Sequence, residues 1–208
     1  MYYTDDMFET QKFMETAAEY FTKKQGEYTL DDYYNLPDDI RVELIDGVIY
    51  YITAPASVHQ IFALYLGTHI YNHIKSHGGQ CIVFMASADV QLNCDNKTMV
   101  QPDVFVVCDR NKIIKRCTYG VPDFIVEVLS PSTKKKDMII KLNKYKEAGV
   151  KEYWMVDPDE KIVHIYDFSK NNYLTKTFKD SHSINVFEEP CIIDFKDMYE
   201  EAAFLYEY

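Results

Sequence analysis

The chain has 208 residues, a formal net charge of −11 and a hydrophobic content of 47%. This composition excludes disorder over most of the chain and supplies enough apolar side chains for the core of one domain. The acidic balance argues against a general nucleic-acid binder, because contacts with phosphate require clustered lysines and arginines. Only a local basic face could reverse that expectation.

The cysteines and the start of the chain predict a cytoplasmic protein. No two of the five cysteines have the Cys-x-x-Cys spacing of a zinc ribbon. An odd and scattered set of cysteines is expected to stay reduced. The first 11 residues lack Lys and Arg and carry three acids, and no apolar run approaches the ~18 residues of a transmembrane helix. We therefore expect neither a secretory signal nor a membrane contact.

In chain order, the sequence first predicts an amphipathic helix over residues 5–24, ended by Gly26. We assign residues 1–26 to an N-terminal helical extension and residues 27–208 to a single domain. The next elements are predicted from caps and turns: a short helix after Thr29, a hairpin of 42–45 and 48–53 about Asp46-Gly47, and a helix from Ser57 to His77.

The rest of the chain predicts strands interrupted by one long helix. The helix spans Ser132 to Ala148, with Gly149 as its C-cap, and a terminal helix is expected near 197–205. The predicted strands are 81–86, 88–92, 99–108, 124–129, 151–156, 161–166, 174–178 and 184–187. This order predicts an α/β fold with a mixed sheet flanked by helices.

Two acids occupy predicted strands that are otherwise apolar. Glu127 lies inside the run 124–129, and Asp103 follows Pro102 within 99–108. An ionised carboxylate in a buried strand is costly unless it is paired or bound to a metal. Glu127 is therefore a functional acid, a member of a core ion pair, or a strand-end residue that reaches solvent. Asp103 alone is a weak signal, because Pro-Asp pairs are common in turns.

Lys141 lies on the predicted apolar face of the long helix. Met138, Leu142 and Tyr145 define that face by their spacing. A lysine there either extends its ammonium to water or has a specific partner. Residues 134–151 also hold seven lysines against two acids. Such a run is usually a solvated helix face, but here it is the clearest local basic patch that could meet phosphate.

Glu43 and His59 are weaker candidates. Glu43 alternates with Val42 and Leu44 in the first hairpin, as an exposed strand acid would. His59 lies in the first turn of a predicted helix, where a histidine is more commonly a surface or capping contact than a ligand.

Together, these segments form an ordered set of motifs. They are Glu43-Leu44-Ile45-Asp46-Gly47, His59, Gln101-Pro102-Asp103, Pro122-Asp123, Glu127-Val128-Leu129-Ser130-Pro131-Ser132-Thr133, Asp137, Lys141, Tyr145, Gly149-Val150, Glu152-Tyr153-Trp154 and Val156-Asp157-Pro158. The set resembles the Uma2 (Uma-two) family of restriction-endonuclease-like proteins, a branch of the PD-(D/E)xK nuclease superfamily. The resemblance covers about residues 28–195, and 127–158 is its most specific stretch.

The resemblance implies a restriction-endonuclease-like mixed sheet flanked by helices, and a Mg²⁺-dependent site that could also take Mn²⁺. The implied catalytic residues are Glu43, Asp103, Glu127 and Lys141. Asp103 and Glu127 would hold the metal together with the Val128 carbonyl. Leu129 occupies the position of the superfamily lysine. The family pattern places a lysine on the following helix instead, and Lys141 matches it.

Three functions are compared on this basis. The first is a metal-dependent endonuclease that cuts DNA, and cleavage of a duplex would favour a homodimer because two strands need two sites related by a two-fold axis. The second is an inactive binding or interaction protein on the same fold, which the net charge favours. The third, an acyl-transfer hydrolase, is disfavoured because the chain lacks a Gly-x-Ser-x-Gly elbow.

Overall fold

The computed structural model of the protein describes residues 20–92 and 95–206. The chain divides into two compact units. The first comprises residues up to Thr53 together with Asp95–Met99, and the second comprises Ala54–Cys94 together with Val100–Tyr208. Most of the helix predicted over 5–24 lies outside the described residues, so the extension assigned to residues 1–26 stays a prediction.

The first unit contains the predicted short helix and hairpin. Its elements are helix α1 (Leu30–Tyr34) and strands β1 (Val42–Ile45) and β2 (Val48–Tyr51). The Thr29 N–H donates to Asp32 Oδ2 at 2.8 Å, as a capping box requires. Gly47 has a positive φ of 75°, and a Cβ at this position would collide with the Gly26 carbonyl. The hairpin turn therefore requires glycine both for its backbone conformation and for space.

The second unit is built on a six-stranded mixed sheet. Its strands are β3 (Ile82–Met85), β4 (Val90–Gln91), β5 (Val104–Val107), β6 (Thr118–Tyr119), β7 (Phe124–Val128), β8 (Glu152–Asp157), β9 (Ile162–Asp167), β10 (Asn172–Thr177), β11 (Ser181–Ile184) and β12 (Cys191–Asp194). The sheet has the order β10-β9-β8-β7-β5-β3, and only β7 and β8 pair in parallel. The strands β4 and β6, and β11 and β12, form two separate pairs.

Helices cover both faces of this sheet. They are α2 (Ser57–Ser76), a π-helical turn (Lys136–Lys141) that leads directly into α3 (Leu142–Ala148), and α4 (Phe195–Glu200), with 3₁₀ turns at Arg110–Lys112 and Ala203–Tyr206. On one face, the fully buried Phe62 of α2 and Phe195 of α4 pack in one core with Val126 and Trp154. On the other face, the Tyr145 ring of α3 meets the Tyr153 ring of β8 edge-on, with centroids 4.9 Å apart.

Most predicted elements are present, and the differences have local causes. The predicted strand over 99–108 is reduced to β5, and Met99 and Val100 form isolated bridges instead. Pro102 explains the interruption, because it cannot donate a hydrogen bond to a neighbouring strand. The strand predicted near 184–187 lies earlier in the chain, as β11, and ends at Ile184. Strand β6 was not predicted, and it pairs in parallel with β4. No helix within 20–92 and 95–206 is long and apolar enough to cross a bilayer.

The expectation that all cysteines are reduced is wrong for Cys81 and Cys108, which form a disulfide. Ile82 and Val107 are partners across β3 and β5, so the residues that flank this pair, Cys81 and Cys108, face each other across the two strands. This proximity depends on strand pairing, and a separation of 27 residues gives no sign of it. Cys117 and Cys191 are buried and lie outside this disulfide.

Candidate active site

Strand pairing places the two predicted metal-binding acids next to each other. Val104 of β5 lies opposite Val126 of β7, and the same antiparallel register continued by one residue puts Asp103 opposite Glu127. Asp103 directly precedes the first residue of β5, so this register brings it to the end of the strand pair that holds Glu127. The Val128 N–H donates to Asp103 Oδ2 at 2.7 Å, which fixes the aspartate against the end of β7.

Glu127 is buried and pairs with two groups from the helix that follows β7. Lys141 Nζ lies 2.7 Å from Glu127 Oε1, and the Tyr145 hydroxyl donates to the same oxygen at 2.8 Å. The side chains of Lys141 and Glu127 are only 3% and 4% exposed. A charge removed from water to this degree requires direct compensation, and both groups receive it here. Lys141 therefore does not extend its ammonium to water.

A third buried charge completes the cluster. Asp137 Oδ1 lies 3.6 Å from Lys141 Nζ, and the Asp137 side chain is 3% exposed. Lys141 thus lies near two carboxylates, and these three side chains carry a formal charge of −1. The Tyr153 hydroxyl donates to the Asp137 carbonyl at 3.3 Å. Complete burial, with Glu127 and Asp137 adding to it, raises the pKa of Tyr153 well above its usual value.

The helix that carries Lys141 differs from the predicted one. The sequence predicted a regular helix with Met138, Leu142 and Tyr145 inward, but Lys136–Lys141 form a π-helical turn. Among residues 136–148, the buried line is Asp137, Lys141 and Tyr145, whereas Met138 and Leu142 are only half-buried. The predicted apolar face is therefore wrong for two of its three members. Single π turns are often found at functional sites.

Asp103 has a partner that the sequence interpretation undervalued. His59 Nε2, from the first turn of α2, lies 3.0 Å from Asp103 Oδ2. The side chains of His59 and Asp103 are 13% and 15% exposed, and within the described residues His59 Nδ1 makes no hydrogen bond. In the sequence, only the residue type of His59 indicated a possible role, because its partner Asp103 lies 44 positions away in the chain.

Glu43 is in the first unit, whereas Asp103, Glu127 and Lys141 are in the second. Glu43 lies on β1 opposite Tyr50 and is 2% exposed. The interpretation of Glu43 as an exposed strand acid is therefore wrong. Its assignment as the upstream catalytic acid stays a prediction.

The basic patch is weaker than the sequence predicted, because at least four of its seven lysines have acidic partners. The pairs are Lys134–Asp157 at 2.7 Å, Lys141–Glu127 at 2.7 Å, Lys144–Glu147 at 3.9 Å and Lys151–Asp123 at 2.7 Å. The patch can still meet phosphate, but with less unbalanced positive charge than its composition suggests.

Asp103 and Glu127 offer two carboxylates as possible metal ligands. Within 20–92 and 95–206, no three or more histidine, cysteine or acidic side chains form a metal-binding group. A zinc site normally needs three or four protein ligands. Magnesium is commonly held by one or two carboxylates, with water and substrate phosphate completing its shell. Asp103 and Glu127 match that smaller donor set.

Comparisons with known proteins agree with this fold. Residues 30–190 match the family model Uma2, described as "Putative restriction endonuclease". The uncharacterised protein slr1290 of Synechocystis sp. is 32% identical over 128 residues, which are 60% of this chain and 64% of that protein. The chain thus spans less than two thirds of that relative. The crystal structure of a "putative nuclease belonging to DUF820" from Anabaena variabilis has a TM-score of 0.67 and 21% identity, covering 83% of this chain and 98% of the other. The predicted restriction-endonuclease-like α/β fold is confirmed.

Proposed function

The chain belongs to the Uma2 family, and we propose that it is a Mg²⁺-dependent endonuclease that hydrolyses phosphodiester bonds in DNA. Membership of a restriction-endonuclease family supports a nuclease function. The observation that carries the finer proposal is the buried pair of Glu127 and Lys141, 2.7 Å apart, at the end of β7 where the Val128 N–H also holds Asp103. This arrangement supports the proposal, because carboxylates that could hold a cation and an ammonium that could meet phosphate lie near one end of β7.

Asp103 and Glu127 are the residues that would hold the metal, with the Val128 carbonyl as a third oxygen donor. A bound Mg²⁺ or Mn²⁺ would lower the pKa of a coordinated water and offset negative charge on the phosphate. Both metal-binding side chains are fixed before any substrate arrives. The Val128 N–H and His59 orient Asp103, and the Tyr145 hydroxyl orients Glu127.

Lys141 supplies the cation that Leu129 cannot. Its ammonium is buried beside Glu127, so a phosphate brought to the two acids would meet a desolvated positive charge. Such a charge stabilises the negative charge that builds on phosphate oxygens during hydrolysis, and it acts strongly because water is excluded. Asp137 gives Lys141 a second anionic neighbour, which helps to keep the ammonium in place.

The test is nicking of supercoiled plasmid DNA with Mg²⁺, with Mn²⁺ and with EDTA. The wild-type chain should nick the plasmid only when metal is present. The double variant Asp103→Asn with Glu127→Gln should not, because neutral amides are poor metal ligands. A second readout does not depend on cleavage: metal should raise the melting temperature of the wild type and leave that of the double variant unchanged. An equal metal response in both proteins would place the metal elsewhere.

A second candidate function is a binding protein on the same fold that does not cut DNA. The net charge of −11 and the internal pairing of four lysines favour it. On this alternative, the Glu127–Lys141 pair is a structural ion pair. Absence of nicking with either metal, together with no metal-dependent change in melting temperature, would support this alternative.

A further inference from the structure

A cleft of about 200 Å³ lies on the outer part of the six-stranded sheet. Helix α3 forms one wall, and the hairpin of β9 and β10 forms the other. The cleft is on the same sheet face as Glu127, because Tyr166 pairs with Tyr153, Tyr153 pairs with Ile125, and Ile125 lies two residues before Glu127. None of the residues proposed for hydrolysis lines it.

Three aromatic rings line this cleft. The Tyr166 and Tyr173 rings have centroids 4.5 Å apart and an interplanar angle of 32°, and the Tyr166 and Phe168 rings are 5.9 Å apart. Tyr173 is 50% exposed. Its hydroxyl forms hydrogen bonds with His164 Nδ1 and Thr175 Oγ1, both at 2.9 Å, which restrict the orientation of the ring. The result is an aromatic surface that is open to solvent and already oriented.

Polar groups surround the rings, and they are available to a ligand. Within the described residues, the side chains of Asn143, Lys146, Asn171 and Asn172 form no hydrogen bond or ion pair, and all four residues are exposed. The one acid in the lining, Asp167, is paired with Lys170 at 3.0 Å. The cleft therefore offers amide donors and acceptors and one unpaired ammonium.

We propose that this cleft binds an unpaired base of single-stranded DNA. A planar base stacks on aromatic rings whatever its identity, amide side chains form hydrogen bonds with base edges, and Lys146 can contact the adjoining phosphate. A base inside a duplex is stacked and paired, so it cannot enter the cleft without leaving the helix. This inference rests on the proposed function, because it specifies the form of DNA that the nuclease recognises.

The cleft is close enough to the candidate active site for one DNA strand to contact both. Strand β9 is two positions from β7 in the sheet, which corresponds to roughly 10 Å across the strands. Helix α3 connects the two places. Lys141 and Tyr145 contact Glu127, whereas Asn143 and Lys146 face the cleft. A strand with an unpaired base in the cleft would therefore carry its phosphates near the buried lysine.

The experiment measures the fluorescence anisotropy of a labelled oligothymidylate of about 12 nucleotides with the full chain in EDTA. Omission of metal prevents cleavage, so the result does not depend on nuclease activity. The single strand should bind more tightly than a duplex of equal length. Tyr173→Ala should weaken binding of the single strand about ten-fold, which is within the range of one lost stacking contact. Tyr173→Phe keeps the ring but loses the hydrogen bonds of the hydroxyl, so it should bind more weakly than the wild type and more tightly than Tyr173→Ala.

Two further variants test the cleft without relying only on Tyr173→Ala, which alters the edge strand β10. Tyr71→Ala is the matched control, because Tyr71 is also 50% exposed but lies on α2. It should leave binding unchanged. Lys146→Glu combined with Asn143→Ala alters only exposed helix positions, so it should fold normally and still lose about ten-fold in affinity. Melting curves of every variant confirm that the measured proteins are folded.

Several outcomes would overturn the inference. They are tighter binding of the duplex, wild-type affinity in both Tyr173→Ala and the α3 double variant, and full displacement of the oligonucleotide by thymidine monophosphate at equal base concentration. The last outcome would assign the cleft to a free nucleotide. The two proposals can fail separately: a chain that binds through Tyr173 but never nicks plasmid refutes only the nuclease. A chain that nicks but binds with wild-type affinity in both Tyr173→Ala and the α3 double variant refutes only the cleft.

Discussion

Two buried glutamates on adjacent strands differ in the partners that surround them. Glu127 of β7 is 3% exposed and Glu152 of β8 is 1% exposed. Glu127 is paired with Met155 of β8, so these two residues share one face of the sheet. Glu152 and Trp154 share the other face, because successive residues of a strand alternate between faces. Each oxygen of Glu152 accepts one fixed neutral donor: Trp154 Nε1–H at 2.7 Å and the Asn185 N–H at 2.9 Å. Glu127 instead directs one oxygen at both a lysine ammonium and a tyrosine hydroxyl.

The difference shows that burial alone does not mark a functional carboxylate. Trp154 and the Asn185 backbone can only hold Glu152 in place, as a structural hydrogen-bond network does. Lys141 carries a charge that could be shared with an incoming phosphate, and Glu127 lies beside a second acid, Asp103. The kind of partner therefore separates a structural glutamate from a candidate catalytic one.

The largest expected effect is that of Lys141→Met. It should lower the cleavage rate by two or more orders of magnitude, equivalent to about 3 kcal/mol, because one buried electrostatic contact with the phosphate is lost. It should also destabilise the fold by about 3–5 kcal/mol, since Glu127 and Asp137 lose the cation between them. Plasmid nicking and urea unfolding measure the two effects, with nicking assayed at a temperature where the variant is folded.

Two controls make that result specific. Lys141→Met combined with Glu127→Gln should recover part of the lost stability but none of the cleavage, because the uncompensated charge of Glu127 has gone while that of Asp137 stays and the site is still incomplete. Lys144→Met removes a lysine from the same helix that pairs with Glu147 at 3.9 Å and is not assigned to the active site. It should nick as the wild type does. Normal nicking by Lys141→Met would exclude the role given to this lysine.

Glu152→Gln should have the opposite profile. Cleavage should be unchanged, while stability should fall by about 2 kcal/mol, because the amide group can accept from only one of the two donors. Burial raises the pKa of Glu152 above its ordinary value of 4.5. The folded state then binds more protons than the unfolded state, so the stability contributed by Glu152 is fully present below pH 4.5 and declines as pH rises towards the raised pKa.

The measurement for Glu152 is the free energy of unfolding of wild type and variant from pH 4 upwards. The advantage of the wild type should be greatest at the acid end and should diminish towards neutral pH. An advantage that grows with pH would mean that the Glu152 carboxylate is stabilised in its charged form. Loss of nicking in Glu152→Gln would end the distinction between the two glutamates.

The smallest expected effect is that of Tyr145→Phe. It removes the hydroxyl that donates to Glu127 but keeps the ring that packs on Tyr153. We expect a loss of about 1 kcal/mol in stability, typical of one hydrogen bond, and a several-fold loss in cleavage because Glu127 is less firmly oriented. Mg²⁺ should still raise the melting temperature. A loss of cleavage as large as that of Lys141→Met would mean that the hydroxyl itself takes part in the reaction.

The sequence predicted the strands and their polar interruptions because those depend on local patterns. Glu127 within an apolar run and Lys141 on a helix face were both recognisable, and the structure places them in contact. Cys81 with Cys108 and His59 with Asp103 were not, because each pair is made by elements far apart in the chain. The π turn was also missed. It depends on the backbone hydrogen-bond spacing of one turn, and no residue type specifies that spacing, so Asp137 replaced Met138 on the buried side.

The π turn also constrains the length of this part of the chain. Deletion of one residue between Lys136 and Lys141 would allow an ordinary α-helix, but each residue of an α-helix turns by about 100° and advances by about 1.5 Å. Asp137 and the connection from β7 would then be displaced relative to Lys141 and Tyr145. This turn should therefore accept neither an insertion nor a deletion.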